Sequence, residues 1–146
     1  MAFKLDKQLQ KDSVLVAAQN NIQIRLINDS RYFWVILVPS VTIDNFNSEL
    51  QEIHDLPITL ANDLWTLTGN LSKNLKTSTK ADKINIGLIG NIVSQLHLHI
   101  VARHRSDPHW PAPVWGQGTP VPLSSDECAK RVELLQNWHR KFSGIT

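Results

Sequence analysis

Several features are scarce in this 146-residue chain, and each scarcity excludes a class of protein. Cys128 is the one cysteine, which excludes an internal disulfide framework and a cysteine-cluster zinc site and fits a reducing compartment. The 15 lysines and arginines nearly balance 13 aspartates and glutamates, and a net charge of +2 is too small for a protein that coats nucleic acid. Apolar runs fall short of the ~18 residues that span a bilayer, and residues 1–13 lack the apolar core of a signal peptide. We expect a cytoplasmic protein that binds neither nucleic acid nor membrane.

The composition and the first half of the chain favour a folded domain with a sheet. With 42% hydrophobic and 19% charged residues, the chain is expected to form a single domain over residues 1–146. Ile22–Ile27 alternates apolar and polar residues, and Phe33–Val38 is continuously apolar before Pro39, so both segments are predicted strands of one hairpin. The short apolar run Val14–Ala18 is either a further strand or a packed loop.

The rest of the chain predicts helices around a second pair of strands. Leucines spaced by four, three, four and four residues predict a core-packing helix of about 18 residues; they are Leu60, Leu64, Leu67, Leu71 and Leu75. Strands are predicted at Ile84–Leu88 and Gln95–Arg103, and the proline-rich residues 107–122 are expected to lie extended over the surface. Ser124 and Glu127 have capping-box spacing and begin a helix over about 125–142. This order predicts an α+β fold with an antiparallel sheet of about four to five strands, a long packing helix and a C-terminal helix.

The second predicted strand carries the residues most suited to chemistry. Because strand side chains alternate between faces, Gln95, His97 and His99 share one face, and the two histidines lie about 6.6–6.8 Å apart along the strand. The intervening apolar residues are expected to pack on the leucines of the long helix. The polar row is then expected to face outward.

Three interpretations of this row are open. His97 is a nucleophile towards phosphorus, with Gln95 and His99 hydrogen-bonding a phosphate. Alternatively, the two histidines hold a metal ion, with a third ligand drawn from His104, His109, Asp107 or Cys128. In the third interpretation they are ordinary sheet residues satisfied by neighbours or water.

The segment from Gly90 to Val101, GNIVSQLHLHIV, resembles the motif of the histidine triad family. That motif is His-φ-His-φ-His-φ-φ, with φ apolar, preceded by a Gly-Gln-Ser/Thr-Val loop. Here Gln95 stands where the first histidine belongs, and Asn91 stands where the family usually has glutamine. The form QLHLH, followed by Ala-Arg and by WPAPVWG, resembles a bacterial subgroup of small histidine triad proteins that has glutamine in place of the first histidine. The resemblance covers about residues 22–116, which we expect to be the triad core.

The resemblance implies hydrolysis or transfer of a nucleotidyl group. The expected substrates are nucleoside phosphoramidates, nucleotide phosphoanhydrides and dinucleoside polyphosphates, with a purine nucleotide or its conjugate as ligand and no cofactor. His97 takes the position of the histidine that attacks the α-phosphate. His99 takes the position that contacts phosphate oxygens and helps proton transfer, and Asn91 can donate to a phosphate oxygen. The family also implies a homodimer whose sheet continues across the two-fold axis.

Other positions are less clearly assigned. Asn28 falls where the family touches the ribose but also suits a turn, and Asn85 either faces the phosphates or is a half-buried strand residue. Trp34 is expected in the core, and Trp115 is expected to cover the site or a subunit contact. Because Gln95 cannot carry a proton, the alternative to an enzyme is a nucleotide-binding regulatory module with weak or lost catalysis.

Overall fold

The computed structural model describes residues 2–42 and 50–144, and within them helices and strands follow an α+β order. The sheet consists of five strands, and a 3₁₀ turn at Ile53–Asp55 precedes the second helix. In chain order the elements are α1 (Lys7–Asp12), β1 (Ser13–Gln19), β2 (Ile22–Ile27), β3 (Phe33–Pro39), α2 (Ile58–Thr79), β4 (Lys83–Gly87), β5 (Leu98–Arg103) and α3 (Ser125–Phe142). The predicted fold class is confirmed, and α1 is an element that the sequence interpretation did not include.

The sheet is antiparallel throughout, in the order β1-β2-β3-β5-β4. Asn20 and Asn21 both have positive φ, at 49° and 61°, which allows the tight two-residue connection between β1 and β2. One row across the sheet runs Arg25, Ile36, His99 and Gly87, one residue from each of β2, β3, β5 and β4. This row is the frame of the candidate site.

One face of the sheet packs against the long helix, as the leucine spacing predicts. Leu64, Leu67, Leu71 and Leu75 of α2 are at most 1% exposed and lie on apolar residues of β2, β3 and β5. Burying one such side chain contributes roughly 1.5–3 kcal/mol relative to leaving it exposed. α2 has 22 residues rather than the predicted 18, because it begins directly after Pro57 and ends only at Lys80, whose φ is 55°. The described residues hold no helix long and apolar enough to cross a membrane.

The opposite face, expected to be open, is covered instead by two irregular segments. Phe3 and Leu5 of the N-terminal segment pack with Ile36 and Val38, and Val114 of the proline-rich segment packs with Tyr32 and Val101. Gln95, His97 and His99 are therefore only 5–6% exposed. The prediction of an outward-facing polar row was wrong, because strand periodicity does not show which loops lie over a face.

Candidate active site

His97 lies just before β5, which begins at Leu98 rather than at the predicted Gln95. Its Nδ1 is 2.6 Å from the carbonyl oxygen of Gln95. A carbonyl oxygen only accepts hydrogen bonds, so Nδ1 must carry the ring proton. The lone pair of the neutral ring is then on Nε2, which is the form needed for nucleophilic attack.

His99 is held in the opposite tautomer. The indole Nε1–H of Trp34 lies 3.0 Å from His99 Nδ1, and because an indole nitrogen only donates, Nδ1 must accept. The proton is therefore on Nε2, which donates to the carbonyl of Ile89 at 3.2 Å. The ring centroids of His97 and His99 are 4.6 Å apart. The site thus places a ring with a free lone pair beside a ring that donates a proton-bearing nitrogen.

Both rings are favoured in their neutral forms. Burial, together with the neighbouring His97, lowers the pKa of His99 to about 4, although its bond to Ile89 acts in the opposite direction. Burial also lowers the pKa of His97, against smaller upward effects from the carbonyl of Gln95 and the charge of Asp6. At neutral pH His99 is consequently a hydrogen-bond donor rather than a carrier of an additional proton.

Two tryptophans enclose His99. The Trp115 ring lies 5.3 Å from the His99 ring and 6.2 Å from the Trp34 ring, in edge-to-face arrangements. Trp115 also lies on Gly87, where an added Cβ would be 3.0 Å from the indole. Trp34, expected in the core, is instead half-buried and faces the site. Its position follows from the register, because Trp34 and Ile36 share the face on which Ile36 pairs with His99.

Comparisons with known proteins identify this arrangement. The model of the HIT domain family matches residues 8–106, which is more than half of the chain. The chain belongs to the HIT domain family. No curated protein matches it significantly.

Solved structures of bacterial histidine triad (HIT) proteins agree with this assignment. The protein from Sinorhizobium meliloti is 37% identical, with a TM-score of 0.85 over 92% of this chain and 96% of its own. The protein from Marinobacter aquaeolei is 34% identical, with a TM-score of 0.88 over 97% and 98%. The protein from Bradyrhizobium japonicum is also 34% identical, with a TM-score of 0.86 over 94% and 98%.

At the first position of the triad motif, the side chain of Gln95 contacts the N-terminal segment. Its Oε1 accepts the backbone N–H of Asp6 at 2.8 Å, and its Nε2 donates to the carbonyl of Lys4 at 2.9 Å. Both ends of this amide thus bind backbone groups, and its contact with a phosphate stays a prediction. Gln95 remains beside the site through its own carbonyl, which accepts from His97.

The structure places the three predicted asparagines differently. Asn85 shares the site face of β4 with Gly87, and its Oδ1 lies 3.5 Å from Nη1 of the buried Arg103. Asn91 is exposed in the loop between Ile89 and His97. Asn28 is exposed at the end of β2, and its Oδ1 accepts the N–H of Leu123, which anchors the chain before α3. The phosphate and ribose contacts of these residues stay predictions.

The metal interpretation needs at least one further ligand near the two histidines. Within residues 2–42 and 50–144, no three histidine, cysteine, aspartate or glutamate side chains lie together as a metal site requires. Asp107, one of the ligands considered, accepts from Nε of Arg103 at 3.0 Å and from the N–H of His104 at 2.7 Å. Its carboxylate therefore has a structural role.

Proposed function

We propose that this HIT protein is a nucleotidyl hydrolase or transferase in which Nε2 of His97 attacks phosphorus. The observation that carries the proposal is the pair of opposite tautomers at His97 and His99. One ring presents a lone pair and the other an N–H, which are the two groups that attack on a phosphate requires. The proposed substrates are nucleoside phosphoramidates, nucleotide phosphoanhydrides and dinucleoside polyphosphates, with a purine nucleotide or its conjugate as ligand.

The first step forms a covalent intermediate. The Nε2 lone pair of His97 forms a bond to the α-phosphorus, and the bond from phosphorus to the leaving nitrogen or oxygen breaks. The leaving group takes that electron pair and is protonated by water. The positive charge that develops on the His97 ring is stabilised by the carbonyl of Gln95 at Nδ1.

The second step releases the nucleotide. Water, or an acceptor alcohol, amine or phosphate, attacks phosphorus, and the electron pair of the P–N bond returns to Nε2. The proton of the attacking group passes to solvent. In both steps the Nε2–H of His99 donates to a phosphate oxygen, for which it exchanges its 3.2 Å bond to Ile89. Asn91 is proposed as a further donor, and Asn85 and Asn28 as substrate contacts.

The proposed assembly is a homodimer with a sheet continued through β4. This strand is at one edge of the sheet, so its outer backbone groups can pair with a second copy. Ile86, Leu88 and Ile89 are 37–45% exposed on or next to it, which is the kind of apolar surface that an interface covers. Light scattering should give twice 16.5 kDa, and a mass of one chain would overturn this part.

The experiment that tests the function measures nucleotide release by chromatography. Wild type should release nucleotide from adenosine or guanosine phosphoramidate or from a diadenosine polyphosphate, and His97→Ala should lower turnover by at least ~10³-fold. The matched control is His54→Ala, because the His54 side chain is 79% exposed, and it should leave turnover unchanged. Turnover retained by His97→Ala would exclude His97 as the nucleophile.

The second candidate function is a nucleotide-binding regulatory module. It is favoured by Gln95, whose amide cannot carry a proton and is bound to backbone. Titration of wild type with the same nucleotides separates the two functions. Binding without turnover would favour the module, and the absence of binding would overturn both.

A further inference from the structure

The orientation of His97 depends on a carbonyl that the sheet does not hold directly. The Gln95 carbonyl that accepts from His97 lies in the loop that joins β4 to β5, three residues before β5 begins. One bond beside it fixes the loop, from the N–H of Leu96 to the carbonyl of Leu50 at 2.7 Å. The side chain of Gln95 supplies the other attachment.

The side chain of Gln95 binds the N-terminal segment. The Gln95 amide binds the carbonyl of Lys4 and the N–H of Asp6, which are 91 and 89 residues away. Because the two partners are a backbone acceptor and a backbone donor, the oxygen and nitrogen of the amide can be assigned without ambiguity. The carbonyl of Lys4 and the N–H of Asp6 lie on either side of Leu5 and point in the same direction, as two such groups of a β-strand point towards a neighbouring strand. A planar amide, with acceptor and donor side by side, matches this pair.

An imidazole cannot make the same two bonds. Its nitrogens point away from each other on opposite sides of the ring, so it cannot meet the carbonyl of Lys4 and the N–H of Asp6 together. We call the two bonds from the Gln95 side chain to Lys4 and Asp6 the tether. Glutamine at position 95 can form the tether, whereas the histidine of the family motif cannot.

The N-terminal segment is itself firmly placed. Phe3 and Leu5 pack against the buried cluster of Leu9, Ile36 and Val38, and so does Trp34, the residue that donates to His99. The Asp6 carboxylate accepts from the N–H groups of the first turn of α1. The negative charge of Asp6 also raises the pKa of His97, which is consistent with the segment lying beside the ring. Lys4 and Asp6 precede residues 8–106, which the family model matches.

We propose that residues 4–6 position the nucleophile, because through the side chain of Gln95 they fix the carbonyl that orients His97. Gln95 is then a positioning residue rather than a phosphate ligand. Without the tether, the carbonyl moves, Nδ1 of His97 loses its acceptor, and the ring samples the tautomer that has no lone pair on Nε2. This inference rests on the proposed role of His97.

The sharpest test compares Asp6→Pro with Asp6→Ala in the full chain. Both variants lose the carboxylate and its helix cap, but only proline also lacks the N–H that donates to Gln95. Asp6 has a φ of −55°, which proline adopts without strain. We expect kcat to be about 3- to 10-fold lower in Asp6→Pro than in Asp6→Ala, with KM within about 2-fold, because proline removes the donor and places its Cδ against the Gln95 amide, which alters the attack and not the binding of substrate. Equal kcat values would overturn the tether.

Two further variants extend the test to Gln95. Gln95→Leu and Gln95→His each break the paired bonds, and we expect about 10-fold lower kcat in both. Trypsin should then cleave faster after the exposed Lys4 and Lys7. A gain of turnover in Gln95→His would contradict the tether. It would instead indicate that glutamine at this position had weakened the catalysis of a three-histidine site.

A ¹⁵N NMR measurement of the His97 ring makes the tether testable without turnover. Wild type should show the Nδ1–H tautomer, and Asp6→Pro and Gln95→Leu a mixture with Nε2–H. A role in stability alone would leave the ring of the folded protein unchanged. If wild type lacks turnover but the tautomer shifts, the proposed function fails and the tether stands. If wild type turns over and the tautomer does not shift, the tether fails and the function stands.

Discussion

The two faces of the sheet are built by different means. The face towards α2 is covered by regular helices: the leucines of α2 repeat at helical spacing and are almost completely buried, and Leu135 and Trp138 of α3 join the same core. The site face is covered by two irregular segments, the N-terminal residues and the proline-rich residues 107–122, which meet the sheet through a few aromatic and apolar side chains. Both faces are buried, but the two histidines lie on the second one.

Burial has a different consequence on each face of the sheet. On the helix face burial stabilises the protein and has no further consequence. On the site face burial favours the neutral forms of His97 and His99, and their hydrogen bonds determine which nitrogen carries each proton. His97 donates to the carbonyl of Gln95, whereas His99 accepts from Trp34 and donates to Ile89. Substitutions on the first face should change stability, and those on the second should change proton positions.

The largest expected effect on stability is on the helix face. Leu64→Ala removes a side chain that is 0% exposed and should lower the free energy of unfolding by about 2–5 kcal/mol. The turnover of the folded fraction should stay unchanged. The control is Leu15→Ala on the edge strand β1, at a side chain 53% exposed, with a change within about 0.5 kcal/mol. Urea unfolding and turnover at matched folded fraction measure both, and an equal loss of turnover would break the distinction between the faces.

The second effect is a pH dependence of stability from the site face. The folded-state pKa of His99, about 4 against 6.5, means that the unfolded chain binds the proton first. The contribution of neutral His99 to the free energy of unfolding, roughly 3 kcal/mol, is therefore fully present above pH 6.5 and is lost as the pH falls towards 4. We plot the free energy of unfolding, measured with urea, against pH between 7 and 4. This plot should have a shallower slope in His99→Gln than in wild type. His54→Gln, at an exposed histidine, should keep the wild-type slope. Identical slopes in all three would contradict the neutral, buried His99.

A pair of glycines compares the site face with the exposed side of α2 through the same chemical change. In Gly87→Ala the new Cβ lies 3.0 Å from Trp115, so we expect a loss of about 1–3 kcal/mol and lower turnover, because the indole must move from His99. In Gly69→Ala, on the exposed side of α2, the Cβ meets nothing within 4 Å, so we expect a gain of about 0.5–1 kcal/mol. Thermal unfolding measures both, and a stabilised Gly87→Ala would contradict the packing of Trp115.

The smallest expected effect is at Trp34. Trp34→Phe keeps an aromatic side chain but removes the N–H that donates to His99. Because the carbonyl of Ile89 still accepts from Nε2, His99 should shift only partly towards the Nδ1–H tautomer, and kcat should fall by up to about 10-fold with little change in stability. ¹⁵N NMR of the His99 ring checks the cause, and a ring unchanged from wild type would show that Trp34 does not set the tautomer.

The helix face was the more predictable from sequence. The leucine spacing gave the packing of α2, and the capping pair gave the start of α3, where Ser124 accepts the N–H of Glu127. Both signals are local. The fold class followed because hairpin and helix patterns repeat with fixed periods.

The geometry of the candidate site was less predictable from the sequence than the fold. The alternation placed His97 and His99 together, yet their hydrogen-bond partners come from segments distant in sequence. The Trp34 contact depends on the register of β3 with β5, and the Gln95 contact depends on a segment about 90 residues away. No periodic pattern records such pairings, so the roles of Trp34 and Gln95 emerged only with the tertiary structure.

The most direct test of the account is to trap the intermediate. Wild type is mixed with a nucleoside phosphoramidate or dinucleoside polyphosphate, quenched in alkali within one turnover, and its peptides are mapped by mass spectrometry. The account predicts one nucleotidyl group on the peptide that contains His97, attached at that ring, and no such adduct in His97→Ala. A nucleotidyl group on any other residue, or turnover in which no peptide ever carries one, would contradict it.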